Sequence, residues 1–168
     1  MFLGNTAYLQ RLHSSLSPNC TVNVYSITLS PVTGVHADPP MHHAKGGKAS
    51  GEPDLTPHLG KCRVVHCIGC APLASPEHIA DPLYEYLPPY VLLRTSRTAG
   101  QSWGLFTAIA PKTVAELATK NVAYVGIDTP SVDPAENRNL PSYPNCWLTT
   151  CACSNAWCST TRLKVTMN

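Results

Sequence analysis

Residues 111–128 read PKTVAELATKNVAYVGID, and this stretch decides the fold class. Pro111 lacks an amide hydrogen, which costs nothing in the first turn of a helix, where that donor has no partner anyway. Val114, Leu117 and Ala118 recur at helical spacing on one face, and Lys120 sits near the end, where a cation suits the helix dipole. An amphipathic helix is predicted over 111–121. The run VAYVGID (122–128) follows at once, short and nearly continuously apolar, as in a strand covered on both faces.

Outward from this core, CRVVHCIG (62–69) and YVLLRT (90–95) have the same buried-strand character. TVNVYSITL (21–29) is β-branched and roughly alternating, the pattern of a half-buried strand, whereas HAKGGKASGEPD (43–54) is punctuated as a loop. Strands come first, then strand, helix and strand, with no internal repeat. The expected class is an α/β domain.

Composition narrows the function. The chain has 168 residues, enough for one domain with a real core, and 13% charged against 43% hydrophobic residues excludes disorder. A net charge of +2 gives no reason to expect nucleic acid or a membrane surface as partner, and no apolar run has the length of a membrane span. The opening MFLGNTAYLQRLHSS lacks the apolar stretch of an export signal, so a cytoplasmic location is expected. In that compartment the eight cysteines should be free thiols. Cys67 and Cys70 have redox or zinc spacing, but their apolar setting favours a structural role.

The chemistry concentrates in VTGVHADPPMHH, Val32 to His43. In an extended segment His36 and Asp38 share a side, and both are good ligands for zinc or manganese. His42, four residues beyond Asp38, is placed to serve as a general acid or base. Pro39 and Pro40 would stiffen the segment. Spacing alone also fits a surface loop.

ITLSPVTGVHADPPMHH resembles the H-x-G-[TA]-H-x-D-x-P-x-H signature of the cyclase family, in the form found in bacterial kynurenine formamidases (arylformamidases). The similarity continues through LGKCRVVHCIGCAPLASPEHIA, LPPYVLLRTSRT and FTAIAPKTVAELATKNVAYVGIDTPSVDPAENRNLPS, roughly residues 2 to 142. The resemblance implies a swivelling β/β/α domain, usually a homodimer, that hydrolyses N-formylkynurenine to kynurenine and formate in tryptophan breakdown. Two metal ions, usually zinc, would activate a water, and a histidine would handle the leaving amine's proton. By the same resemblance His36 and Asp38 are metal ligands, Asp38 bridging, and His42 is the catalytic histidine; His43 stands where tyrosine is common. Phe2 falls where the family has a substrate-lining tryptophan, and the family's first strand, upstream of it, is missing. Three ligand positions are lost: Val32 replaces the motif's first histidine, Tyr143 in LPSYPN a second, and Asn155 the expected glutamate.

The stretch after residue 142 changes vocabulary. No Asp or Glu occurs between Glu136 and Asn168, and CWLTTCACSNAWCSTTRLKVTMN has no apolar period of either kind. Back-translated and read from the third base of each codon, Trp157–Cys158 must give valine and Met167–Asn168 glutamate. The frame permits VLDDAPEGDYE, close to family sequence, preceded by a helix-like run whose glutamate spans the Ser154 and Asn155 codons. The expectation is an incomplete cyclase-family domain over 1–142 and a frameshifted, non-native tail over 143–168, in an enzyme impaired or inactive, with weak or partial zinc binding. The competing readings are a non-catalytic zinc- or thiol-binding module built on Cys67, Cys70 and the tail cysteines, and a functionless pseudogene product.

Overall fold

The computed structural model describes residues 6–32, 35–42, 44–49, 51–52, 59–80, 86–97, 105–136, 142 and 152–155. They form an α/β fold in two compact units, 1–33 and 34–168. The boundary expected at 142/143 borders residues outside those described.

The first unit is an antiparallel hairpin of β1 (Leu9–Ser14) and β2 (Val24–Thr28), with Leu9 opposite Thr28 and Leu12 opposite Tyr25. Every residue of β2 is exposed, as is all of β1 except half-buried Ser14. The strand expected over 21–29 forms as Val24–Thr28, exposed rather than half-buried. β1 has no equivalent in the sequence reading, because LQRLHS alternates too weakly to declare itself.

The second unit is built on a five-stranded sheet in the order β3-β9-β8-β6-β4. β3 is His36–Asp38, β4 Cys62–His66, β6 Tyr90–Arg94, β8 Tyr124–Ile127 and β9 Ala152–Asn155. The apolar strands β4, β6 and β8 run parallel, with Val64 beside Leu92 and Leu92 beside Gly126. A second small parallel pair joins β5 (Leu73–Ala74) to β7 (Ala108–Ile109). The helix α1 spans Pro111–Thr119 and buries Thr113, Val114 and Leu117. Ala118, expected on the same face, is half-buried.

The helix ends at Thr119, two residues before the expected 121, and Asn121 turns the chain, adopting φ 61. Its amide donates to Ala118 O (3.0 Å), and the Val122 amide donates to Leu117 O (3.2 Å). This is a Schellman closure, with buried Val122 against buried Leu117, and asparagine tolerates the left-handed region it requires. The Ala123 and Tyr124 amides then both donate to Pro89 O, at 2.8 and 3.0 Å, and set β8 beside β6.

Val91, Leu93, Val125, Ile127, Ile109 and Val114 lie at the centre of the core, all fully buried. Within the stretch expected to be an altered tail, residues 152–155 are described. Ala152–Asn155 pairs with β3 on one side and β8 on the other, inside the sheet. Strand pairing uses main-chain groups, so a short polar segment can take that place whatever its side chains.

Leu93→Ala should destabilise the chain by about 2–5 kcal/mol, whereas Leu9→Ala in the exposed hairpin should change stability by less than about 0.5 kcal/mol. Urea unfolding of both variants checks this.

Candidate functional site

The predicted constellation assembles around one carboxylate. In β3, His36 and Asp38 share a face, and His36 Nε2 lies 3.5 Å from Asp38 Oδ1. The 3₁₀ turn Pro40–His42 then folds back, bringing His42 Nε2 to 3.9 Å from the same oxygen. The Asp38 side chain is 1% exposed, against 14% for His36 and 42% for His42. One buried carboxylate thus faces two imidazoles, one largely enclosed and one open to solvent.

The turn carrying His42 is fixed by its neighbours. The His42 amide donates to Pro39 O (2.8 Å) and the Ala44 amide to Pro40 O (2.9 Å). The Met41 amide donates to Lys48 O (3.1 Å), closing the loop over the turn. Gly47 sits against the Pro40–Met41 main chain so closely that a Cβ would overlap Pro40 O at 2.6 Å. A glycine is required there by contact rather than by torsion.

Phe2, His43 and Tyr143 lie outside the described residues. Val32 is half-buried in a turn of the first unit. Asn155 is the register partner of His36 across β3 and β9. Among the described residues no group of three or more His, Cys, Asp or Glu is arranged to hold a metal ion. Zinc takes four ligands, or three and a water, so these residues do not provide the two-ion cage that the resemblance implies.

A second polar cluster occupies the carboxyl ends of the parallel strands. Asp128, just past β8, accepts hydrogen bonds from the Thr95 amide (2.9 Å), the Thr95 hydroxyl (2.7 Å) and the Ser96 amide (3.2 Å). Sequence reasoning missed this clamp; its signal is an aspartate and a threonine ending adjacent parallel strands. Beside it, β4 stops at His66, not residue 69, and Cys67–Cys70 forms a turn with Gly69 at φ 85. The Cys67 amide still reaches Arg94 O (2.7 Å), and the Cys70 thiol donates to Cys67 O (2.6 Å). Burial, reinforced by the neighbouring Cys70, pushes the Cys67 thiol up to about 12; burial also raises Cys70. Thiolates are the metal-binding and reactive form, so this pair is disfavoured for both tasks at neutral pH.

Farther along, the Asp133 carboxylate accepts the Ser142 amide (2.9 Å), and the Ser142 hydroxyl donates to Ile109 O (2.9 Å). Ser142 and Asp133 are fully buried, so the chain is tied into the core immediately before residue 143.

Comparison with known proteins gives consistent matches. The sequence profile of the Cyclase family (described as "Putative cyclase") matches residues 5–134. The chain is 65% identical over 143 residues to the kynurenine formamidase of Polaromonas naphthalenivorans (strain CJ2), covering 85% of this chain and 64% of that protein. It is 50% identical over 145 residues to that of Bordetella pertussis, covering 85% and 69%. The chain therefore spans about two thirds of the length of these relatives. Its fold is similar to a solved structure titled a potential metal-dependent hydrolase with cyclase activity, with TM-score 0.71 and 19% identity over 95% of this chain and 73% of that one. A predicted metal-dependent hydrolase from Bacillus stearothermophilus gives TM-score 0.70 and 20% identity, covering 96% and 74%.

Two outcomes check this geometry. At pH 8, iodoacetamide should leave Cys67 and Cys70 unmodified in the folded chain and label both in urea, as read by peptide mass spectrometry. The Cys67 thiol's folded value lies above its ordinary 9.0, so its stabilising contribution is complete below pH 9 and disappears as pH rises towards 12. Cys67→Ala should flatten the loss of stability across that window.

Proposed function

The chain belongs to the cyclase family, and from that membership we propose that it is a kynurenine formamidase-like amide hydrolase in impaired form. The reaction it descends from is the metal-dependent hydrolysis of N-formylkynurenine to kynurenine and formate. The observation that carries this reading is the convergence of two imidazoles on the buried Asp38 carboxylate. A buried aspartate is unusual unless partners or a cation offset its charge, and a hydrolase of this kind needs such a carboxylate. The similarity to formamidases of Polaromonas and Bordetella supplies the substrate class.

The roles of this chain's residues follow from their exposure and distance. His36 and Asp38 are the retained ligand positions. His42, open to solvent on one side, can collect a proton from water and deliver it to the departing arylamine as the carbon–nitrogen bond breaks. Asp38, with Oδ1 3.5 Å from His36 Nε2 and 3.9 Å from His42 Nε2, orients the two rings.

Impairment rests on the other positions that the resemblance makes ligands. Val32 offers only carbon, Asn155 is a weak neutral donor, and Tyr143 replaces an imidazole. Zinc or manganese would be held by a fragment of a donor set, hence weakly. We further propose that the reading frame shifted between Tyr143 and Asn145, leaving 1–142 as the inherited domain and 143–168 as an altered tail. The forced valine and glutamate of the alternative frame support this. The unbridged thiols of Cys20, Cys62, Cys67 and Cys70 accord with a cytoplasmic protein, and homodimerisation comes with the family reading.

Purified chain with added zinc should hydrolyse N-formylkynurenine slowly or not at all. A frame-corrected chain that also carries Val32→His should recover zinc binding and activity. In that background His42→Ala should lower kcat by about 10²- to 10⁴-fold, and His36→Ala should abolish metal binding measured by calorimetry. Rapid zinc-dependent hydrolysis by the unaltered chain would overturn the impairment, and coding DNA without a single-base restoration of the frame would overturn the shift.

A further inference from the structure

We propose that Ser75, Glu77 and His78 form a proton-operated switch at the entry to the 3₁₀ turn Pro76–Ile79. One proton taken up by His78 reverses a hydrogen bond and releases the Ser75 amide. That amide donates to His78 Nδ1 (3.1 Å), and Ser75 Oγ lies 2.8 Å from the same nitrogen. A side chain that reaches back from the third residue of a turn to the amide ahead of it is half of a capping box, where glutamate or glutamine is usual. Either of those keeps an acceptor oxygen at every pH. Imidazole does not. Its one lone-pair nitrogen becomes a donor when the ring is charged, and histidine is the side chain that ordinarily makes this change between about pH 5 and 8.

Both states use atoms already in place. With the ring neutral, Nδ1 accepts and Nε2 carries the proton, so the Ser75 amide and hydroxyl share one lone pair. With the ring charged, Nδ1–H donates to Ser75 Oγ, the hydroxyl proton turns to the Glu77 carboxylate, and the Ser75 amide faces another donor. A hydrogen bond from the Ser75 side chain holds the Glu77 carboxyl below its ordinary range, so this acceptor is charged throughout. Among the described residues, the charged or titratable groups around the ring are Glu77 on its own turn, Lys112 in α1, and Arg63 and His66 on β4 across a cleft. The movement is confined, because the segment is held on both sides. Ala74 O accepts the Ala110 amide (3.1 Å) and the Thr113 hydroxyl (2.8 Å), and Ile79 is 1% exposed. The His78 amide donates to Ser75 O (3.0 Å), a bond that does not involve the ring. Acid therefore loosens the wall that Glu77 and His78 present to β4 without unfolding the turn.

The test reads single amides in the ¹⁵N-labelled full chain. From about pH 8 to about pH 5 the hydrogen-exchange protection factor of the Ser75 amide should fall about fivefold or more, while that of the His78 amide stays level. The ring ¹⁵N shifts of His78 should show Nδ1 bare at the upper pH and protonated at the lower. These are read in the unaltered chain, so this arm stands whatever the variants do. His78→Gln, which keeps an acceptor at every pH, should hold the Ser75 protection level, and His66→Gln should leave the fall in place. A proton on Nδ1 at the upper pH, constant Ser75 protection in the unaltered chain, or a fall that survives His78→Gln would each overturn the proposal. So would a fall abolished by His66→Gln, which would assign the titration to the other side of the cleft.

Discussion

The parallel register of β4, β6 and β8 is the constraint on which the larger unit depends. Strands this apolar must be covered, and once covered, every amide and carbonyl along them needs a partner. Pairing along the ladders supplies most of these partners. At the carboxyl ends, where the ladders stop, Asp128 takes up the Thr95 and Ser96 amides. At the entry to β8, Pro89 O receives two amides just after the Asn121 turn. The register of β8 against β6 is thus fixed at both ends by hydrogen bonds, and α1 is placed by the same turn.

The acidic centre is attached to this frame at one remove. Asp38 and His36 lie on β3, whose neighbour in the sheet is β9 and not one of the apolar strands. Two features make the centre recognisable despite that distance from the core: the carboxylate is enclosed, and the turn carrying His42 is packed against Gly47. A pair of imidazoles around an enclosed carboxylate is a sound beginning for hydrolysis, but the geometry is that of a hub with two spokes. Cation chemistry needs donors arriving from other elements as well.

Much of the frame was legible in the sequence because it is written in local patterns. Apolar runs announced β4, β6 and β8, and helical spacing announced α1. The pairing of His36 with Asp38 followed from a period of two, and His42 was placed near Asp38 by standing four residues beyond it. What escaped depends on partners remote in sequence or on the main chain alone. Nothing in TVNVYSITL names Leu9–Ser14 as its hairpin partner. Nothing local assigns Asp128 to Thr95, 33 positions away. The strand at 152–155 has no period to announce it, because side chains carry the sequence signal and sheet pairing is indifferent to much of it.

That last strand has a consequence for how the molecule is made. β3 sits beside residues more than a hundred positions farther along, so its place in the sheet exists only once residues 152–155 are in hand. On the ribosome, β4, β6, α1 and β8 can dock while synthesis continues, since their contacts are closer in sequence. The segment bearing the enclosed carboxylate, though translated before all of these, must wait for residues 152–155 before it is seated. Any event that removes or recodes those four residues therefore acts at a distance on chemistry made more than a hundred positions earlier.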